Sequence, residues 1–209
     1  MRRLRRSGFI ATEWMSLPVL WEGIHRHTWN DADLRAMEGT LRSHDFVIDF
    51  QRCLRAERLG AFQLFEDEKA GRYGRNYYWP SGWLDQSFAA LGQVYPIYLG
   101  GIHPRDGMID KTPFEPTKKW ELYSSVALFL RGSYGPIQHG ARKVAEAEMD
   151  RRMACVACEL ERYYLVHHAY PDRLSALPDL PPILAREVTS REPLHYQNLG
   201  QTYRLYSTG

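Results

Sequence analysis

The chain has 209 residues, of which 44% are hydrophobic, 13% aromatic and 25% charged. This composition is typical of a globular protein with a packed core, and the formal net charge of +2 is too small to favour a nucleic-acid or membrane partner by bulk attraction. The three cysteines are too few and too irregularly spaced for a disulfide framework, and no apolar run approaches the roughly 20 residues that span a bilayer.

Residues 1–28 are predicted to be a basic tail and connector. Arginines occupy positions 2, 3, 5 and 6, as in the basic region of an export signal. Polar residues and Pro18 interrupt the stretch that follows, so no apolar region for export is present. We therefore interpret this segment as a solvated tail, which leaves the chain cytoplasmic as it stands.

The segment 29–140 is predicted to be a helical region. Asn30 is a suitable N-cap for a helix that follows it, and Trp29 can pack back on that helix. Apolar residues at helical spacing change face near position 44, which predicts two helices at about 30–43 and 45–69. Glycine and proline residues divide the rest of this segment. They predict an aromatic loop at 71–81, a helix at 81–91, an irregular connection at 95–115, a helix at 117–131 and a break at 132–140.

The segment 141–209 is predicted to be a long helix followed by a hairpin. One face of the helix carries apolar residues at steps of three and four: Met149, Met153, Val156, Leu160, Tyr163 and His167. Pro171 then ends it. Alternating residues at 193–197 and 202–207 predict two strands, and a lone hairpin needs a partner to pack on. The sequence thus predicts a mainly helical α+β fold, with a helical N-terminal part and a long helix packed on a small C-terminal antiparallel β-hairpin.

A family resemblance appears in this C-terminal part. The segments 158–171, 174–177, 192–196 and 203–209 together resemble the soluble domain of the type II secretion major pseudopilin. That family has a long helix ending near Tyr-Pro, then a loop and a small antiparallel sheet with a final Tyr-x-Leu-x-Ser-x-Gly strand. The whole chain is also similar to a set of uncharacterised bacterial proteins, through its helix start at 29–34 and its Gly-Trp-Leu-x-Gln segment at 82–86. The resemblance implies a non-enzymatic structural or interaction protein, with protein partners or self-association.

The chain also departs from the pseudopilin pattern. It shows no apolar anchoring helix and no acidic, glycine-rich calcium loop after Ser207, and His168 stands where the family usually has a glycine. We therefore expect no pilus-like assembly. We also hypothesise that the chain is a fragment of a longer, membrane-anchored protein, which would place it in the cell envelope.

Cys155 and Cys158 form the most suggestive chemical motif, because two thiolates at this spacing can bind zinc or exchange disulfides. No second pair completes a zinc site, and the motif lies in mid-helix, so we interpret both as packing residues. His25 and His27 would share one face on a strand, and the loop residues His103 and His139 could be general bases. No residue is identified as catalytic, cofactor-binding or metal-ligating, and no cofactor is expected.

Two alternative functions stay open beside a non-enzymatic role. The first is a hydrolase or thiol-redox enzyme that uses the loop histidines or Cys155 and Cys158. The second is single-stranded nucleic-acid binding through the loop at 72–79, where arginine and aromatic side chains could grip phosphate and stack on bases. The same loop is a candidate interaction surface for a protein partner, formed by Arg72, Tyr73, Arg75, Tyr77, Tyr78 and Trp79.

Overall fold

The computed structural model of the chain describes residues 17–72, 81–111, 113 and 125–208. The fold is α+β and mainly helical, which confirms the predicted fold class. The predictions for the basic tail before position 17, for the loop from Tyr73 to Trp79 and for the helix start near position 117 lie outside these residues. Within the described ranges, each helix is too short or too polar to cross a membrane.

The chain divides into two compact units, Met1–Asp45 with Glu146–Gly209, and Phe46–Ala145. The predicted boundaries after positions 28 and 140 stay a prediction. The first unit contains the following elements: α1 (17–25), α2 (Asp31–Arg42), the end of α5 (Ser125–His167), β3 (His195–Asn198) and β4 (Tyr203–Tyr206). The second unit contains these: α3 (Phe46–Lys69), α4 (Ser81–Gly100), β1 (Ile102–His103), β2 (Met108–Ile109) and the start of α5.

The start of α2 follows from its local sequence. The Asn30 side chain accepts a hydrogen bond of 2.9 Å from the backbone N–H of Asp33, as the capping pattern predicts. Asp31 and Asp33 lie in the first turn, where the helix dipole favours carboxylates. Because α2 ends at Arg42 and α3 begins at Phe46, the predicted change of helix near position 44 is confirmed.

In the second unit, α4 is longer than the sequence predicts. It continues past Leu91 to Gly100 and contains Pro96, so the prediction of irregular chain from position 95 is wrong over these residues. Tyr95 and Tyr98 are buried on this extension, and their burial offsets the cost of a proline inside a helix. After α4, strands β1 and β2 pair in antiparallel register.

Helix α5 runs without interruption from Ser125 to His167, so the predicted break at 132–140 is wrong. Gly132, Pro136 and Gly140 all lie inside it. Each glycine costs a helix about 1 kcal/mol and a proline about 3 kcal/mol relative to alanine. Ile137 packs against the buried cluster of the second unit, and a Cβ atom on Gly140 would lie 3.7 Å from the Phe50 ring. Tertiary packing therefore outweighs local propensity in this helix.

The core of the first unit forms where α1 and α2 pack on small residues of α5. Its buried members are Leu20, Ile24, Leu34, Ala154, Ala157 and Cys158. Every residue from Ala154 to Glu161 is buried, so this part of α5 is covered on all sides. The predicted single stripe from Met149 to His167 therefore describes only one of its contact faces.

The C-terminal hairpin agrees with the predicted strands. Tyr203 pairs with Asn198 and Tyr206 with His195 in antiparallel register. Gly200 closes the turn with a φ of +88°, a backbone conformation that glycine adopts without steric cost. Tyr203 packs against the Ala154–Cys158 core, so the hairpin lies on α5.

A buried carboxylate fixes the chain after β4. Glu187 is 1% exposed, and its Oε1 atom accepts hydrogen bonds from Ser207 Oγ at 3.0 Å, from the Thr208 N–H at 2.6 Å and from Thr208 Oγ1 at 3.0 Å. Its Oε2 atom accepts a bond of 2.5 Å from Ser190 Oγ. Although burial opposes ionisation, these hydrogen bonds lower the pKa of Glu187 to about 2, because all four stabilise the carboxylate form.

Candidate functional site

The two cysteines of the predicted motif lie inside the core. Cys155 and Cys158 have no solvent exposure. Burial raises the pKa of Cys155 to about 11 and that of Cys158 to about 12. The thiolate is the form that binds metal and attacks disulfides, so this environment disfavours both reactions.

The histidines singled out by sequence are dispersed. His25 ends α1 and His27 follows it with a φ of 51°, so the two do not share the face of a strand. In the second unit, His103 Nε2 lies 2.8 Å from Asp110 Oδ2 and His139 Nδ1 lies 3.4 Å from an Arg142 nitrogen. Across the described segments, no group of three or more His, Cys, Asp or Glu residues could hold a metal ion.

Of the candidate interaction loop, only Arg72 falls in the described ranges. Its Nη1 atom donates a hydrogen bond of 2.6 Å to Asp67 Oδ1. The remaining members, Tyr73, Arg75, Tyr77, Tyr78 and Trp79, lie outside the described residues, so the proposal of a nucleic-acid or protein surface there stays a prediction.

The structure brings other residues together around a groove in the first unit. The groove has a volume of about 510 Å³ and lies between α1 with the segment after it, α5, and β4 with the turn before it. Its walls include aromatic, apolar and charged side chains: Trp21, His27, Asp150, Met153, Tyr170 and Tyr203. A volume of this size lies within the range of small-molecule sites, which also combine apolar walls with a few polar groups.

A buried carboxylate fixes two of these groups. Glu161 has no solvent exposure. Its Oε1 atom lies 2.6 Å from His27 Nδ1, and its Oε2 atom accepts a hydrogen bond of 3.1 Å from the Tyr170 hydroxyl. Burial and the Glu161 carboxylate raise the pKa of Tyr170 above its ordinary value, so the phenol stays protonated and donates.

His27 is also fixed by its backbone and by ring stacking. The Thr28 N–H donates to Gly23 O at 3.0 Å and the His27 N–H donates to Ile24 O at 3.1 Å, the pair of bonds that closes a helix on a left-handed residue. The His27 ring stacks on Tyr164 with centroids 4.6 Å apart, and Tyr164 stacks on Tyr170 at 4.8 Å. His27 and Tyr170, which line the groove, are therefore joined to each other through the Tyr164 ring and the Glu161 carboxylate.

Asp150 contributes a carboxylate to the lining of the groove. It is half-buried on α5, and burial followed by repulsion from Glu146 raises its pKa. No hydrogen bond or ion pair joins it to another residue in the described part of the chain. It therefore differs from Glu161, whose two oxygens both have partners.

Sequence reasoning missed Glu161, Tyr170 and Asp150. Position 161 is three residues after Cys158 and four after Ala157, so Glu161 belongs to the small-residue face that packs on α1 and α2. A second stripe drawn through Ala154, Ala157 and Cys158 would have placed it in an interface. The contact with His27 spans 134 positions, and no local pattern indicates it.

Comparison with protein-family models, with curated proteins and with solved structures finds no match to this chain. The resemblance of its C-terminal part to a pseudopilin therefore stays a prediction.

Proposed function

We propose that this chain is a non-enzymatic binding protein, and that the groove between α1, α5 and β4 is its binding site. The observation that carries the proposal is the groove itself, an open space of about 510 Å³ with aromatic walls beside the closed core of the first unit. Ligand sites commonly combine aromatic and apolar walls with polar groups in one concavity.

The chemical groups near the groove support binding rather than turnover. His27 and Tyr170 both bind the buried Glu161, which fixes their orientation. The thiols of Cys155 and Cys158 are buried away from solvent, where the thiolate is disfavoured. A hydrolase or thiol-redox enzyme stays the alternative, and partners of the loop at 72–79 stay a prediction.

Fragment screening by two-dimensional NMR tests the proposal. We expect weakly binding small organic fragments to shift resonances of Trp21, Met153 and Tyr203 together. Leu205 lines the groove, so Leu205→Arg should abolish these shifts by placing a charge in the apolar wall. Leu199→Arg is the matched control, because Leu199 is 50% exposed in the hairpin turn and does not belong to the lining.

Four outcomes would contradict the proposal. The groove would lose its role if no fragment bound, or if the shifts clustered elsewhere. It would also lose that role if Leu199→Arg and Leu205→Arg reduced binding equally. Conversion of a bound fragment by the protein would contradict the non-enzymatic part.

We also propose that residues 141–209 are a pseudopilin-like module in a protein of the cell envelope. The support is that α5 ends at His167, that Tyr170 and Pro171 are buried just after it, and that an antiparallel hairpin follows. The gene sequence on either side of this reading frame tests the relationship. An apolar segment upstream or an acidic, glycine-rich run downstream would support it, and a flank that codes for neither would count against it.

A further inference from the structure

The groove contains one carboxylate, Asp150, that forms no hydrogen bond or ion pair with the described residues. Asp150 is the single acidic side chain among the described residues that line it. Glu146, one turn earlier on α5, repels it, and no described side chain forms an ion pair with it. A cation that enters the groove would stabilise this half-buried carboxylate.

The basic side chains of the lining do not neutralise the Asp150 carboxylate. His27 is held by Glu161. Arg204 is exposed and alternates along β4 with the inward residues Tyr203 and Leu205, so water solvates its guanidinium. His25 is likewise exposed at the end of α1. The carboxylate of Asp150 therefore favours a ligand that places a positive charge beside it.

The walls specify what kind of cation fits. Trp21, Tyr170 and Tyr203 present aromatic rings to the groove, and Met153 and Leu205 add apolar surface. Aromatic faces attract cations, tryptophan most strongly, and apolar walls favour a ligand with an organic body. Resting on the function proposed above, we infer that the groove binds a small organic amine, with its ammonium group on the Asp150 carboxylate and its apolar part against the rings.

Three aromatic probes of similar size test this inference on the full chain. Benzylamine is cationic at neutral pH, benzyl alcohol is its neutral analogue and benzoate is anionic. In NMR titrations followed at Trp21 and Tyr203, we expect benzylamine to bind more tightly than benzyl alcohol and benzoate to bind least. Asp150→Asn should weaken benzylamine binding about tenfold and leave benzyl alcohol unchanged.

Two further variants control the test. Asp150→Glu keeps the charge and should keep the preference for benzylamine. Asp172→Asn removes an exposed carboxylate outside the lining and should have no effect. Benzyl alcohol binding without a preference for benzylamine would overturn the amine inference and leave the groove as a binding site. An unchanged benzylamine affinity in Asp150→Asn would do the same, whereas failure of all three probes to bind would overturn the proposed function itself.

Discussion

The indole of Trp29 lies so close to Gly23 that a Cβ atom at position 23 would come within 1.8 Å of Trp29 Nε1. Gly23 is in α1, and Trp29 precedes α2 and packs against the core of the first unit. Only glycine at position 23 leaves room for the indole. The contact therefore fixes how closely the segment that follows α1 packs against this helix.

Gly23→Ala is therefore expected to destabilise the protein, although alanine is the better helix former. The added methyl group must displace the indole, and overpacking of this kind costs about 1–3 kcal/mol. Chemical denaturation measures the change. Gly39→Ala is the matched control, since a Cβ atom there meets nothing within 4 Å, and it should stabilise by up to about 1 kcal/mol. Equal effects of the two substitutions would refute the steric argument.

Glu187→Gln is expected to destabilise the first unit in a pH-dependent way. Since the hydrogen bonds lower the folded-state pKa of Glu187 to about 2 from an ordinary 4.5, ionisation of this group contributes stability above about pH 4.5. That contribution is lost as the pH falls from 4.5 to 2. At pH 7 we expect a loss of about 3 kcal/mol. The free energy of unfolding of both proteins, measured from pH 7 down to 2, should converge towards acid, and a constant difference would contradict the role of the charge.

His168→Gly is expected to stabilise the protein. His168 follows α5 with a φ of 54°, and its N–H donates to Tyr164 O at 2.8 Å, which is the conformation that glycine favours at a helix end. Removing the Cβ atom should relieve about 1 kcal/mol of strain, seen as a higher midpoint in thermal unfolding. His167→Gly, one residue earlier and still helical, should lower the midpoint instead.

Thiol titration of the native protein distinguishes the proposed binding function from the thiol-redox alternative, because it measures which cysteines are reactive. Cys53 is exposed, whereas Cys155 and Cys158 are buried, so we expect one thiol to react quickly with a disulfide reagent and two to react only after unfolding. Cys53→Ser should remove the fast phase and leave the slow one. Rapid reaction of two or three thiols in the folded state would revive the redox alternative.

The sequence predicted correctly those elements that depend on interactions between residues close together in the chain. The Asn30 cap and the alternating residues of β3 and β4 depend on neighbours in sequence, and each appears where expected. The continuity of α5 through Gly132 and Gly140 could not be predicted, because the packing that compensates for them joins distant segments. The groove escaped prediction for a related reason, since counting apolar residues assigns a charged residue such as Glu161 to solvent.

Tyr203 belongs to two structures at once. Its ring packs against the core and also lines the groove, and its edge meets Tyr170 with centroids 4.9 Å apart. A ligand in the groove would therefore contact the Tyr203 ring, which also packs the hairpin against the core. Ligand saturation should then protect the C-terminal strands against hydrogen exchange and raise the melting temperature, so occupancy could be followed by heat resistance without any chemical signal from the ligand.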